Sequence, residues 1–70
     1  MIDRKRFLEL CQKNAINPNS AKVIYRNAEY YPIELTISFN SKGETNNSAI
    51  LKDANSNSYV RAKIEAVKEA

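Results

Sequence analysis

The chain contains no histidine and no tryptophan, one cysteine (Cys11), one glycine (Gly43) and only two prolines, Pro18 and Pro32. Each scarcity closes a class of function. Without histidine, and with a lone thiol, a Cys/His zinc site and a disulfide framework are both excluded by inventory. A single cysteine also suits a reducing interior, so a cytoplasmic home is expected. No apolar run approaches the roughly 18 residues that a membrane span requires, so no membrane partner is expected. Met1-Ile2-Asp3-Arg4-Lys5-Arg6 has the basic start of a secretory leader. No apolar stretch of about 7–15 residues follows it, so a leader is not expected either. With one glycine there is no glycine-rich loop to cradle phosphate. Cys11 has no base beside it in the pattern and reads as a small hydrophobe of a helix face. Glu34 and Asp53 lie near opposite ends of strands, with no cleft between them. The expectation is a non-enzyme without cofactor or metal.

What is present is small. Seventy residues make about half a usual domain, so one domain over residues 1–70 is expected. A chain this short buries only about 60% of the surface it exposes when unfolded, which leaves little stability to spare. The net charge is +3 and unevenly spread. Residues 1–26 hold Arg4, Lys5, Arg6, Lys13, Lys22 and Arg26 against Asp3 and Glu9, leaving +4, and the remainder is −1. Arg4, Lys5 and Arg6 open a helix, where positive charge opposes the macrodipole. They form a candidate basic patch for a partner's phosphates, with a solvated helix face as the plainer reading.

Two periodicities divide the chain. From Asp3 to Ile16 the spacing predicts a helix. Asp3 is a suitable N-cap, and Ile2 and Phe7 stand at the positions of a hydrophobic staple. Phe7, Leu10, Cys11 and Ala15 form the apolar stripe, and Asn17-Pro18 ends the helix. From Ala21 the period becomes two. Ala21 to Arg26 reads as a short strand, Asn27-Ala28 as a two-residue turn, and Glu29 to Asn40 as a half-buried strand. Its apolar face is Tyr31, Ile33, Leu35, Ile37 and Phe39. Ser41-Lys42-Gly43 makes a hairpin loop with the glycine where a left-handed residue is needed. If Asn40 faces Glu44, then Leu35 faces Ala49 and Ile33 faces Leu51. Asp53 to Asn57 is a turn cluster. Residues 58–65 fit either a strand or a helix, and strand is preferred because the sheet needs an edge partner. A helical turn begins near Glu65, and residues 68–70 read as a tail.

The expected order is one helix over about residues 3–16 and then a four-stranded antiparallel β meander over 21–67, an α+β fold. The run Val23-Ile24-Tyr25-Arg26-Asn27-Ala28-Glu29-Tyr30-Tyr31-Pro32-Ile33, a strand, tight turn and paired tyrosines, resembles small Src-homology-3-like barrels and, among them, Tudor-like domains. Asp53 after a strand and Val60 through Val67 as a closing segment extend the likeness to about residue 67, leaving the helix outside it. The resemblance implies a small barrel or curled sheet and a module that holds peptides. In size and make-up the chain is also similar to short reading frames of bacterial phages and conjugative elements.

The aromatic residues carry the functional expectation. A turn at Asn27-Ala28 places Tyr25 opposite Tyr30, and Tyr59 belongs to the outward set of the last strand. Tyr25, Tyr30 and Tyr59 then form one exposed patch bordered by Lys22, Arg26, Lys52 and Arg61. Such a patch suits a peptide, or a single-stranded nucleic acid whose bases stack while cations meet phosphate. The modest charge favours a protein partner over nucleic acid. Two plainer readings stay open: a cross-strand tyrosine pair that only stabilises the sheet, or tyrosines covered by the helix. Self-association through a strand edge at Ala21–Arg26 or Ser58–Glu65 is the rival function, with a monomer or weak homodimer expected.

Overall fold

Asp3 starts the helix. In the computed structural model of the chain, which describes residues 2–70, its carboxylate accepts the Arg6 N–H at 2.7 Å, and α1 runs Arg4–Ile16. Ile2 and Phe7 are both buried, as a staple requires. The buried face is Phe7, Leu10, Cys11 and Asn14. Ala15, expected on that stripe, is exposed, because the last buried position of the helix makes polar contacts and Asn14 fills it. Asn17, ahead of Pro18, takes an extended conformation at φ −133° and ψ 94° and ends the helix as expected.

The strands are β1 (Val23–Tyr25), β2 (Ala28–Phe39), β3 (Thr45–Asp53), β4 (Tyr59–Lys63) and β5 (Lys68–Glu69), with a 3₁₀ turn at Ile64–Ala66 between the last two. All pair antiparallel in the order β4-β3-β2-β1-β5, and β4 does not meet β5, so the sheet is open. The α+β class and the meander stand as expected, and so does the strand assignment within 58–65. The expected tail is instead a fifth strand. Val67 is fully buried, its carbonyl accepts the Ile2 N–H at 3.1 Å, and Lys68 and Glu69 pair with Ile24 and Val23. That pairing covers the β1 edge at Val23 and Ile24, the middle of the Ala21–Arg26 edge expected to be free.

Two registers differ from expectation. The first hairpin turns at Arg26-Asn27, both with positive φ (52° and 62°), and Tyr25 pairs with Ala28. This is the primed two-residue turn, whose twist matches that of the strands. The turn expected at Asn27-Ala28 would place Ala28 at a left-handed position that asparagine fills more easily. In the second hairpin Leu35 faces Ala49 as expected, but Leu51 faces Pro32 instead of Ile33. A β-bulge between Pro32 and Glu34 inserts Ile33 as an extra residue. Before the bulge the core face is Tyr30 and Pro32; beyond it the face is Leu35, Ile37 and Phe39. Tyr31 therefore points away from the helix, and Ile33 is 38% exposed. Proline in a strand is tolerated at bulges because it has no ladder hydrogen to lose.

The core lies between α1 and one face of the sheet. Phe7, Leu10 and Cys11 from the helix meet Val23, Ala49, Leu51 and Ala62 from the strands, closed below by Ile64 and Val67. Phe7, Val23, Leu51 and Val67 are fully buried; each contributes about 1.5–3 kcal/mol by leaving water. Asn14 is the one buried polar side chain among the described residues. Its Nδ2 donates to the carbonyls of Ala21 (3.1 Å) and Pro32 (3.0 Å), and its Oδ1 accepts the N–H groups of Ser20 (3.0 Å) and Ala21 (2.8 Å). One side chain thereby ties the helix end, the loop and β2 together.

Candidate functional site

The expected tyrosine patch divides between two faces. Tyr25 and Tyr30 lie on the face of Val23 and Pro32, the side covered by α1, and both are half-buried against the core. Their rings meet edge to face with centroids 5.8 Å apart, a diagonal contact instead of the directly opposed pair expected from the other register. Tyr59 pairs with Lys52, which pairs with Tyr31, so these three form a row across the open face. Arg61 stands beside that row, opposite Ile50. Lys22 reaches the same face: its Nζ lies 5.9 Å from the Tyr31 ring centre and 3.7 Å from Glu29. Of the expected site residues, Tyr59, Lys52 and Arg61 are together, and Tyr25 and Tyr30 are elsewhere. The alternation that placed Tyr31 on the buried face missed it as a surface residue, because the bulge reverses the parity.

Arg26 separates from Lys52 and Arg61 as well, and its own surroundings form a second, more enclosed feature. A groove of about 510 Å³ runs between the first turn and the chain around the 3₁₀ segment. Ile24, Tyr25 and Ala66 give it apolar walls, Asn27 borders it, and Arg26, Lys63 and Lys68 supply three cations with no carboxylate among the lining residues. The guanidinium of Arg26 lies 5.2 Å from the centre of the Tyr25 ring. Arg26 holds a left-handed backbone at φ 52°, a conformation that costs a bulky residue about 1 kcal/mol or more and that marks functional turns disproportionately. Lys63 and Lys68 were not among the expected site residues. They come to the groove only because the 3₁₀ turn returns the chain to β1, a contact that no short-range pattern encodes.

The basic N-terminal patch is partly consumed within the molecule. Arg6 donates to Glu69 at 2.6 Å and lies 3.7 Å from Glu9. The hydrogen bond and charge of Glu69, with a smaller contribution from Glu9, raise the proton affinity of its guanidinium further. Arg4 and Lys5 are exposed and form no ion pair among the described residues. Cys11 is buried, and burial, with the charge of Glu34 second, pushes its thiol up to about 11. At neutral pH it is a poor nucleophile. Among the described residues no three metal-ligating side chains converge, and no helix is long and apolar enough to cross a membrane.

Comparison with known proteins finds no family model that matches the chain, and no curated protein or solved structure that is similar to it.

Proposed function

We propose that the chain is a small non-catalytic binding module that takes an acidic, extended segment of a partner protein in the groove around Arg26, Lys63 and Lys68. The observation that carries this reading is the composition of the groove: three cations, apolar walls and no carboxylate in about 510 Å³. Apolar walls bury the aliphatic parts of a peptide, and the cations at the rim select acidic side chains and speed encounter. Base stacking is less well served here. The groove holds a single aromatic, Tyr25, half-buried against the core with Arg26 beside its ring, whereas successive bases stack on several aromatic side chains. The sheet order, with a 3₁₀ turn leading to a last strand beside β1, supports the likeness to Src-homology-3-like domains. The lone buried thiol suits an intracellular setting.

A second reading rests on the row Tyr31–Lys52–Tyr59 with Arg61 beside it. Tyr59 is 61% exposed, and aromatics interleaved with cations on an open sheet suit single-stranded nucleic acid. One experiment separates the two. The labelled protein is titrated with a glutamate-rich decapeptide and with a mixed-sequence single-stranded DNA, at roughly 50 and 300 mM salt. Peptide-induced amide shifts confined to residues 24–27 and 63–68 are expected. DNA-induced shifts centred on Tyr31, Lys52 and Tyr59, lost steeply with salt, would replace the first reading with the second. No shift with either probe would reject both.

A further inference from the structure

The edge of β2 carries a separate inference. At twelve residues and about 3.3 Å each, β2 outruns its neighbours and accounts for the 37 Å long axis of the molecule. β1 covers it only along Ala28–Tyr30, and Asn14 satisfies the Pro32 carbonyl on that side. Beyond the bulge, no strand of the described residues lies on the outer side of β2. The Asn40 N–H donates to the Glu44 carbonyl at 3.0 Å, which sets the alternation of the ladder. Ser38 and Thr36 exchange bonds with β3, and Leu35, Ile37 and Phe39 turn their backbone groups to the free side. The side chains of these three lie on one face, and Ile37 and Phe39 are 53% and 72% exposed.

Exposed edges are usually blunted by a charge, a proline or a bulge. β4, at one end of the sheet, carries Arg61 and Lys63. The segment Leu35-Thr36-Ile37-Ser38-Phe39 carries none of these devices, since the bulge of β2 lies before it. We propose that two copies of this chain associate through this edge, antiparallel about a two-fold axis at Ile37.

The segment is its own complement. About Ile37, Leu35 meets Phe39, Thr36 meets Ser38, and Ile37 meets itself. In that register all three residues with free backbone groups find partners, making about six inter-chain hydrogen bonds. The apolar side chains of both copies line up on one face. Glu34 stands opposite Asn40, with Lys42 on the diagonal, so no like charges are opposed. A partner of unrelated sequence would lack this symmetry, and an isologous pairing uses it twice. The buried area is at the low end for specific interfaces, below about 1,200 Å². Association is therefore expected in roughly the 10 µM to 1 mM range.

Sedimentation equilibrium over that range tests the pairing, with Ile37→Lys, Phe39→Ser and, on β4, Tyr59→Ser as variants. The wild-type mass is expected to rise with concentration from 8.0 kDa to no more than twice that. Ile37→Lys places like charges on the axis and should weaken association at least about tenfold. Phe39→Ser should weaken it as well, and Tyr59→Ser should leave it unchanged. Both edge positions are exposed, so circular dichroism should match the wild type; if Ile37→Lys melts early, Phe39→Ser carries the same expectation. A wild-type mass that stays flat overturns the proposal. So does association that survives both edge variants, or growth beyond a dimer.

Discussion

Replacing Asn14 by alanine should unfold more of this protein than its polar character suggests. The side chain is 8% exposed and satisfies the Ser20 N–H, both backbone groups of Ala21 and the Pro32 carbonyl. Ser20 is exposed and can recover a hydrogen bond from water. Ala21 and Pro32 are buried, so three backbone groups lose their only side-chain partner. At about 1 kcal/mol for each group left unsatisfied, the loss is about 3 kcal/mol. A 70-residue domain holds about 4–10 kcal/mol in all, so the variant should lose a third or more of its stability. The midpoint of thermal unfolding should fall by about 12–24 °C. Urea denaturation followed by circular dichroism measures the difference, with an unchanged m-value showing that the unfolded state is comparable. A loss below about 1 kcal/mol would mean that water replaces Asn14 easily, and would refute its role as the tie between α1, the loop and β2.

Three further outcomes are expected. Leu51→Ala, at a fully buried position, should cost about 3–4 kcal/mol, whereas Leu8→Ala at 48% exposure should stay within about 1 kcal/mol; equal losses in chemical denaturation would contradict the placement of the core. Arg26→Asn relieves a left-handed arginine and should stabilise the chain by about 0.5 kcal/mol. The same change should weaken binding of a glutamate-rich peptide by roughly 3- to 10-fold at low salt, and unaltered binding in a titration would remove Arg26 from the site. The Cys11 thiol is pushed from its usual 9.0 up to about 11, chiefly by burial. At pH 8 its thiolate fraction is about 100-fold lower in the folded chain than in the unfolded one. A thiol reagent should therefore modify the native protein about two orders of magnitude more slowly. Because the folded value is the higher one, the associated stability is fully present below about pH 9 and is lost as the pH rises to about 11. Cys11→Ala should flatten that alkaline decline, and a decline identical to wild type would show that other groups govern it.

The residues that were legible in the sequence are those whose cause is local. Asp3, Ile2 and Phe7 announce the helix start, Asn17-Pro18 its end, and Gly43 the second turn, because a cap, a ring and a missing Cβ act within a few residues. What misled was parity. The alternation Tyr31, Ile33, Leu35, Ile37, Phe39 looks like one continuous face, yet a single extra residue at Ile33 splits it, and from that point back toward the first turn every side chain exchanges sides. The signal was present in Pro32, which a regular inner strand does not readily hold. A bulge placed there predicts Tyr30 inward and Tyr31 outward, and divides the expected tyrosine patch between two faces. The groove is a different matter. Arg26 and Tyr25 sit at a turn that the sequence marks, but Lys63 and Lys68 join them because β5 returns to β1 across the whole length of the sheet. That closure is decided by Val67, which is buried completely and draws its neighbours with it. Val67→Asp should therefore release β5 and dismantle the groove while the β2–β3 hairpin stays paired, which amide exchange resolved by residue can distinguish. Equal loss of protection in both regions would show that the sheet opens as one unit and that the groove is not separately built.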